Sequence, residues 1–113
     1  MIRKELIKTA QEKCCDGKGV AHIDYWLSDE ENSPNMNMVA TVTLAPGDSV
    51  GDHVHEGEAE LYYIQKGEAE YHDNDKVYPV APGDVVICYS GDSHGIISTG
   101  KEDLVFHAVI VAG

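Results

Sequence analysis

The residues best equipped for chemistry lie in the stretch HVHEGEAELYYIQKGEAEYH, residues 53–72. His53 and His55 are two apart, so in an extended strand both imidazoles project from one face. Glu60 follows five residues after His55, past turn material containing Gly57, at the start of the apolar segment ELYYIQ. If Glu60 faces inward, Tyr62 and Ile64 face inward with it, and Leu61 and Tyr63 take the opposite face. Glu58 lies near the histidines too and competes with Glu60. His94, after the strand GDVVICYS and the turn GDS, is a fourth candidate. Three imidazoles and one carboxylate suit Mn, Fe, Co, Ni or Zn, because these donors are of borderline hardness. An octahedral ion held this way would keep open positions for water or substrate. An HxH pair is also common on solvated strands, and a histidine in a polar turn is commonly a surface residue, so spacing alone leaves both readings open.

The elements that must position these residues read as strands. In MNMVATVTL, Met36, Met38, Ala40, Val42 and Leu44 share one face, with Asn37, Thr41 and Thr43 on the other. Segments 20–28, 53–55, 60–65, 68–72, 76–80, 84–89 and 103–111 are also expected to be extended, and turn sequences such as QKG, DND and APGD separate most of them. Residues 2–13 fit a helical stripe of Ile2, Leu6 and Ala10 or a leading strand equally well. Many short, evenly spaced strands predict an all-β sandwich or barrel. Segment 103–111 is apolar on both faces, which predicts a strand covered on both sides and places His107 in a contact surface. His22 and His107 are expected to be surface or hydrogen-bonded structural histidines.

At 113 residues the chain predicts one domain. Its 20 acidic against 8 basic residues give a formal charge of −12, which disfavours nucleic acid and anionic membrane surfaces as partners. Arg3 is the sole arginine, so a pocket built on bidentate guanidinium recognition is not expected. Three cysteines form no disulfide framework, and the adjacent pair Cys14 and Cys15 is poorly placed for an unstrained bridge. That pair is read as incidental, and the odd count fits reduced thiols in a cytoplasm. No stretch approaches an apolar span of ~20 residues, and MIRKELIKTAQEK has no apolar core for secretion.

Residues 47–67 resemble the first cupin motif, G(x)5HxH(x)4E(x)6G, with Gly47, His53, His55, Glu60 and Gly67 at every required spacing. Residues 83–98 resemble the second, G(x)5PxG(x)2H(x)3N, through Gly83, Gly91 and His94; Tyr89 stands where proline is usual and Ser98 where asparagine is usual. The resemblance implies an all-β double-stranded β-helix, a jelly-roll barrel over 17–113 with residues 1–16 packed on it as a short helix or strand. It implies one divalent transition metal per chain (Mn, Fe, Ni, Co or Zn) bound by His53, His55, Glu60 and His94, and a homodimer. Met36, Met38, Tyr62, Ile64, Cys88, Tyr89 and Phe106 are then expected to line the pocket, with the Tyr89 phenol at its rim and Tyr62 as a proton or hydrogen-bond donor. The GEAE repeat at 57–60 and 67–70 divides accordingly: Glu60 is a ligand, whereas Glu68, Glu70 and His72 face solvent while Ala69 and Tyr71 face the core. Small cupins include dioxygenases, isomerases and lyases, so the resemblance implies a metal-dependent enzyme acting on a small polar ligand. The alternative is a non-catalytic module that binds or senses such a ligand.

Overall fold

The structure is a computed structural model that describes all 113 residues. Ten strands follow in chain order: β1 (Ile7–Glu12), β2 (Val20–Tyr25), β3 (Met36–Leu44), β4 (Ser49–Val54), β5 (Glu58–Lys66), β6 (Ala69–Asp73), β7 (Lys76–Val80), β8 (Val85–Cys88), β9 (Ser93–Ser98) and β10 (Leu104–Ala112). A single 3-10 turn, Cys14–Asp16, joins β1 to β2. Six strands form one sheet in the order β1-β2-β3-β10-β5-β8, and four form a second in the order β4-β9-β6-β7. All pairs are antiparallel. The chain crosses repeatedly between the sheets, the double-stranded β-helix expected from the motifs.

Alternation decides what lies between the sheets. Along β5, Glu60, Tyr62 and Ile64 point inward and are buried, while Tyr63 is exposed. On β3 the inward row is Ala40, Val42 and Leu44, and on β10 it is Leu104, Phe106 and Ala108. From the smaller sheet, Ala69 and Tyr71 of β6 and Ile96 of β9 complete the core. Side chains of this size contribute about 1.5–3 kcal/mol each when fully buried, so the two inner faces hold the sheets together.

The N-terminal ambiguity resolves as a strand. Ile7–Glu12 pairs residue by residue with Tyr25–Val20 and is the edge of the larger sheet. Two strands differ from their expected extents. β4 begins at Ser49 rather than at His53, and Ser93–Ser98, around the expected GDS turn, is a strand of its own. β4 is polar and carries a glycine, which hid it; β9 is short and begins inside turn-like sequence. On the outer face of β10, Val105, His107 and Val109 are only half-covered and Val111 is 42% exposed, so this face is not closed within one chain.

Candidate metal centre

His53 and His94 meet because β4 and β9 are neighbours whose register pairs them directly. Reaching that register needs an irregularity. Val50 pairs with Ile96 and His53 with His94, so three residues of β4 span two of β9. The extra residue is a β-bulge at 51–52. In strict alternation Val50, which faces the core, and His53 would lie on opposite faces; the bulge reverses the parity and turns His53 inward. His55 follows just beyond β4, and Glu60 comes from β5 in the other sheet.

These four side chains converge. The three Nε2 atoms form a triangle with each edge 3.1 Å, and Glu60 Oε1 lies 2.8 Å from His55 Nε2 and 2.9 Å from His94 Nε2. The separation from Glu60 Oε1 to His53 Nε2 is longer, 3.9 Å. Donors ~2.1 Å from a common ion would be about 3.0 Å apart at a right angle, about 3.4 Å apart in a tetrahedron and about 4.2 Å apart when opposite. Five of the six separations match right angles, and the His53–Glu60 pair approaches the opposite arrangement. The donor set therefore fits an octahedral ion with two adjacent positions open.

The surroundings fix which nitrogen faces the centre. His53 Nδ1 donates to the Gly51 carbonyl at 2.7 Å, and His55 Nδ1 donates to Glu58 Oε1 at 3.0 Å. With the proton on Nδ1, each neutral ring turns a lone pair on Nε2 toward the others. His94 Nδ1 lies 2.9 Å from the Tyr71 hydroxyl, which accepts its proton in the same tautomer. Three lone pairs and a carboxylate at these distances demand a cation, and this chemistry is the reason the set fits a divalent metal. Glu58, the rival of Glu60, serves instead as the orienting partner of His55 and is itself held by Asn37 Nδ2 at 2.8 Å. Such partners set ring orientation and raise ligand basicity. Tyr71 was expected only to face the core; its hydroxyl contact depends on a pairing between β6 and β9 that no local pattern encodes.

The charges follow from these contacts. Burial alone would push the Glu60 carboxyl up, but the hydrogen bonds from His53 and His94 outweigh it and hold the group at about 2. Hydrogen bonds with His55 and Asn37 lower Glu58. His53 is raised to about 10, first by the Cys15 thiol and then by Glu60. Burial, followed by the Glu60 charge, drives Tyr62 upward, so its phenol stays protonated.

A cavity of about 210 Å³ opens onto His53, His55 and Glu60. Of the residues expected to line it, Met38, Tyr62 and Phe106 do, and Tyr62 stacks on His94 with ring centroids 5.0 Å apart. Met36, Ile64, Cys88 and Tyr89 do not. Met36 lies beyond the β10 irregularity at 110–111, Ile64 and Cys88 are buried away from the cavity, and the Tyr89 side chain is 60% exposed. Cys14 and Cys15, read as incidental, are on the wall. His22 is exposed on β2, and His107 Nδ1 is 2.9 Å from Thr41 Oγ1; neither approaches the site.

The family model for the cupin domain matches residues 40–110, which include the whole donor set. This chain belongs to the cupin family. The cupin is 47% identical over 95 residues to an oxalate-binding protein of Thermotoga maritima, covering 84% of this chain and 78% of that one. It superposes with a TM-score of 0.94, at 41% identity and full coverage of both chains, on a Thermotoga maritima crystal structure described as a predicted oxalate decarboxylase. The cupin domain of Schizosaccharomyces pombe Cnp3 has a TM-score of 0.75 at 13% identity, over 98% of this chain and 90% of that one, a likeness of fold alone.

Proposed function

We propose that this cupin holds one divalent transition metal on His53, His55, Glu60 and His94 and uses it to bind a small chelating dianion of the oxalate type. The observation that carries the reading is the pair of adjacent open positions left by the donor geometry, on a small and mainly apolar cavity. A dianion with two oxygens at chelating distance fills both, whereas a monocarboxylate fills one. The divalent ion less one carboxylate leaves positive charge at the cavity floor, which attracts an anion where the chain supplies no arginine or lysine. Apart from Glu60, no carboxylate and no cationic side chain other than the histidines lines the cavity. General acid–base catalysis needs such groups within reach of the substrate, so binding is favoured over turnover. The likeness to an oxalate-binding protein supports the same ligand class.

A second reading, a metal-dependent oxygenase, isomerase or lyase, draws support from Tyr62. Its protonated hydroxyl belongs to a cavity-lining residue stacked on His94, and a phenol there can donate a proton or hydrogen bond to bound substrate. The exposed outer face of the larger sheet, with Trp26, Tyr63, Val85 and Ile87, supports association of two copies of the chain.

Elemental analysis of protein purified without a histidine tag is expected to show one equivalent of Mn, Fe, Ni, Co or Zn, lost in the double variant His53→Ala/His94→Ala. Calorimetric titration of oxalate into metal-loaded protein should show binding that vanishes after chelation of the metal. Equal binding with and without metal would overturn the proposal, and disappearance of oxalate over time would favour the enzymatic reading.

A further inference from the structure

Outside the four donors, the most reactive groups on the cavity wall are the thiols of Cys14 and Cys15, whose sulfurs lie 3.9 Å apart. The backbone that presents them is unusual. Lys13, Cys15 and Asp16 all take left-handed conformations, with φ of 49°, 54° and 62°. Non-glycine residues rarely adopt this region, and a run of three persists only when its surroundings impose it. β4 imposes it here. The Cys15 carbonyl occupies the space that a side chain on Gly51 would fill, and Gly17 meets the backbone of Ser49 and Gly51 just as closely. Lys13 N–H donates to the Gly19 carbonyl at 2.8 Å and Ser49 N–H to the Lys18 carbonyl at 2.9 Å, closing the turn onto the strand.

That strand is the one carrying His53, and Gly51 is the residue whose carbonyl orients the His53 ring. The strained turn thus holds the Cys15 side chain in a hydrogen-bonding contact with His53, on the cavity side of the donor cluster. Cys15 is not one of the four converging donors, and unlike Cys14 and Cys88 it is exposed. A thiol beside a ligand histidine, facing the open positions and free to rotate about one side-chain bond, has the placement of an exchangeable ligand.

We infer that Cys15 is a fifth, displaceable ligand: its sulfur takes one open position on the metal when no anion is bound and gives way when a chelating dianion enters. The inference rests on the metal reading of the four-donor site. Coordination forms one metal–sulfur bond and releases the thiol proton to solvent; displacement breaks that bond and returns a proton to the sulfur. A soft thiolate favours Zn, Co, Ni or Fe over the harder Mn.

Cobalt(II) is the probe. Cobalt-loaded wild-type protein is expected to show a sulfur-to-cobalt charge-transfer band in the near ultraviolet. The band should persist in Cys14→Ser, vanish in Cys15→Ser with cobalt still bound, and bleach on addition of oxalate. Cobalt bound at one equivalent without the band, or a band unchanged in Cys15→Ser, overturns the inference and leaves the four-donor site standing. Failure of the wild type to bind cobalt overturns the metal reading and this inference with it. If Cys15→Ser does not fold, alkylation of Cys15 in the wild type decides: cobalt should slow its reaction with iodoacetamide at least tenfold, and equal rates refute ligation.

Discussion

Replacing Tyr71 by phenylalanine removes one oxygen atom from the second layer of the site and little else. The Tyr71 hydroxyl lies 2.9 Å from His94 Nδ1, and the two residues are 3% and 1% exposed. Without the hydroxyl the Nδ1 proton faces a dry aromatic edge. Leaving a buried donor unpaired costs about 1–3 kcal/mol, and loss of an orienting partner typically weakens metal binding by about 10–100-fold. Tenfold corresponds to about 1.4 kcal/mol, so the two scales agree, and the whole effect is expected in metal affinity with a modest change in stability. Competition for zinc against a chromophoric chelator measures the affinity, with Tyr78→Phe as the control. Tyr78 pairs with Tyr71 across β6 and β7 but is 45% exposed and touches no ligand. A Tyr71→Phe affinity within about twofold of wild type, in a folded protein, would refute the orienting role assigned from the 2.9 Å contact. An equal loss in Tyr78→Phe would show that the sheet, not the hydrogen bond, is responsible.

Glu58→Ala frees the His55 ring from its carboxylate partner and is expected to weaken metal binding by about tenfold, read by the same competition, with the ligand count unchanged. For the metal-free protein the pH dependence is asymmetric. His53 is raised from 6.5 to about 10, so its contribution to stability is complete below pH 6.5 and is lost as pH rises through 10. Glu60 is lowered from 4.5 to about 2, so its contribution holds above pH 4.5 and is lost as pH falls through 2. Thermal melts should therefore decline between pH 6.5 and 10, and a flat profile there would contradict the charged state assigned to His53. Tyr63→Glu places a charge among Val85, Ile87 and Trp26 on the outer face of the larger sheet and should shift sedimentation from dimer to monomer with the melting temperature of the monomer unchanged; a wild-type monomer would refute the interface.

How much of this was legible in the sequence varies with the range of the contacts involved. Alternation in 36–44 and 60–65 gave the inward faces correctly, because hydrophobic periodicity is a local property of a strand. The four donors were marked by motif spacing rather than by any physical pattern in the strands. The register of β4 was hidden: a bulge at 51–52 inverts its parity, and only pairing with β9 reveals it. His94 seemed to sit in a turn because GDS carries turn chemistry, yet Ser93 already belongs to β9. The choice between Glu58 and Glu60 could not be made from distance along the chain, since alternation on β5 sends one inward and leaves the other beside His55. Tyr71 and Cys15 were undervalued for a common reason. Each acts on a ligand 23 or more residues away, through a contact made only in the assembled barrel.

The origin of the four donors in two different sheets has a mechanical consequence. His53 and His94 belong to adjacent strands of the four-stranded sheet, and Glu60 to the centre of the six-stranded one. An ion shared among them is a rivet through the sandwich, and it sits at the ligand-binding end, where apolar packing gives way to a cavity. Riveting that end adds nothing to the opposite end, where Leu44, Ile64 and Leu104 are fully buried already. Amide exchange should then slow on metal loading in β4, β9 and the start of β5 while the far ends of β3 and β10 hardly change. At a metal concentration a hundred times its dissociation constant, the linkage gain is about 2.7 kcal/mol. The cupin would thus breathe from its mouth when empty and lock there when loaded, with the rest of the barrel indifferent to either state.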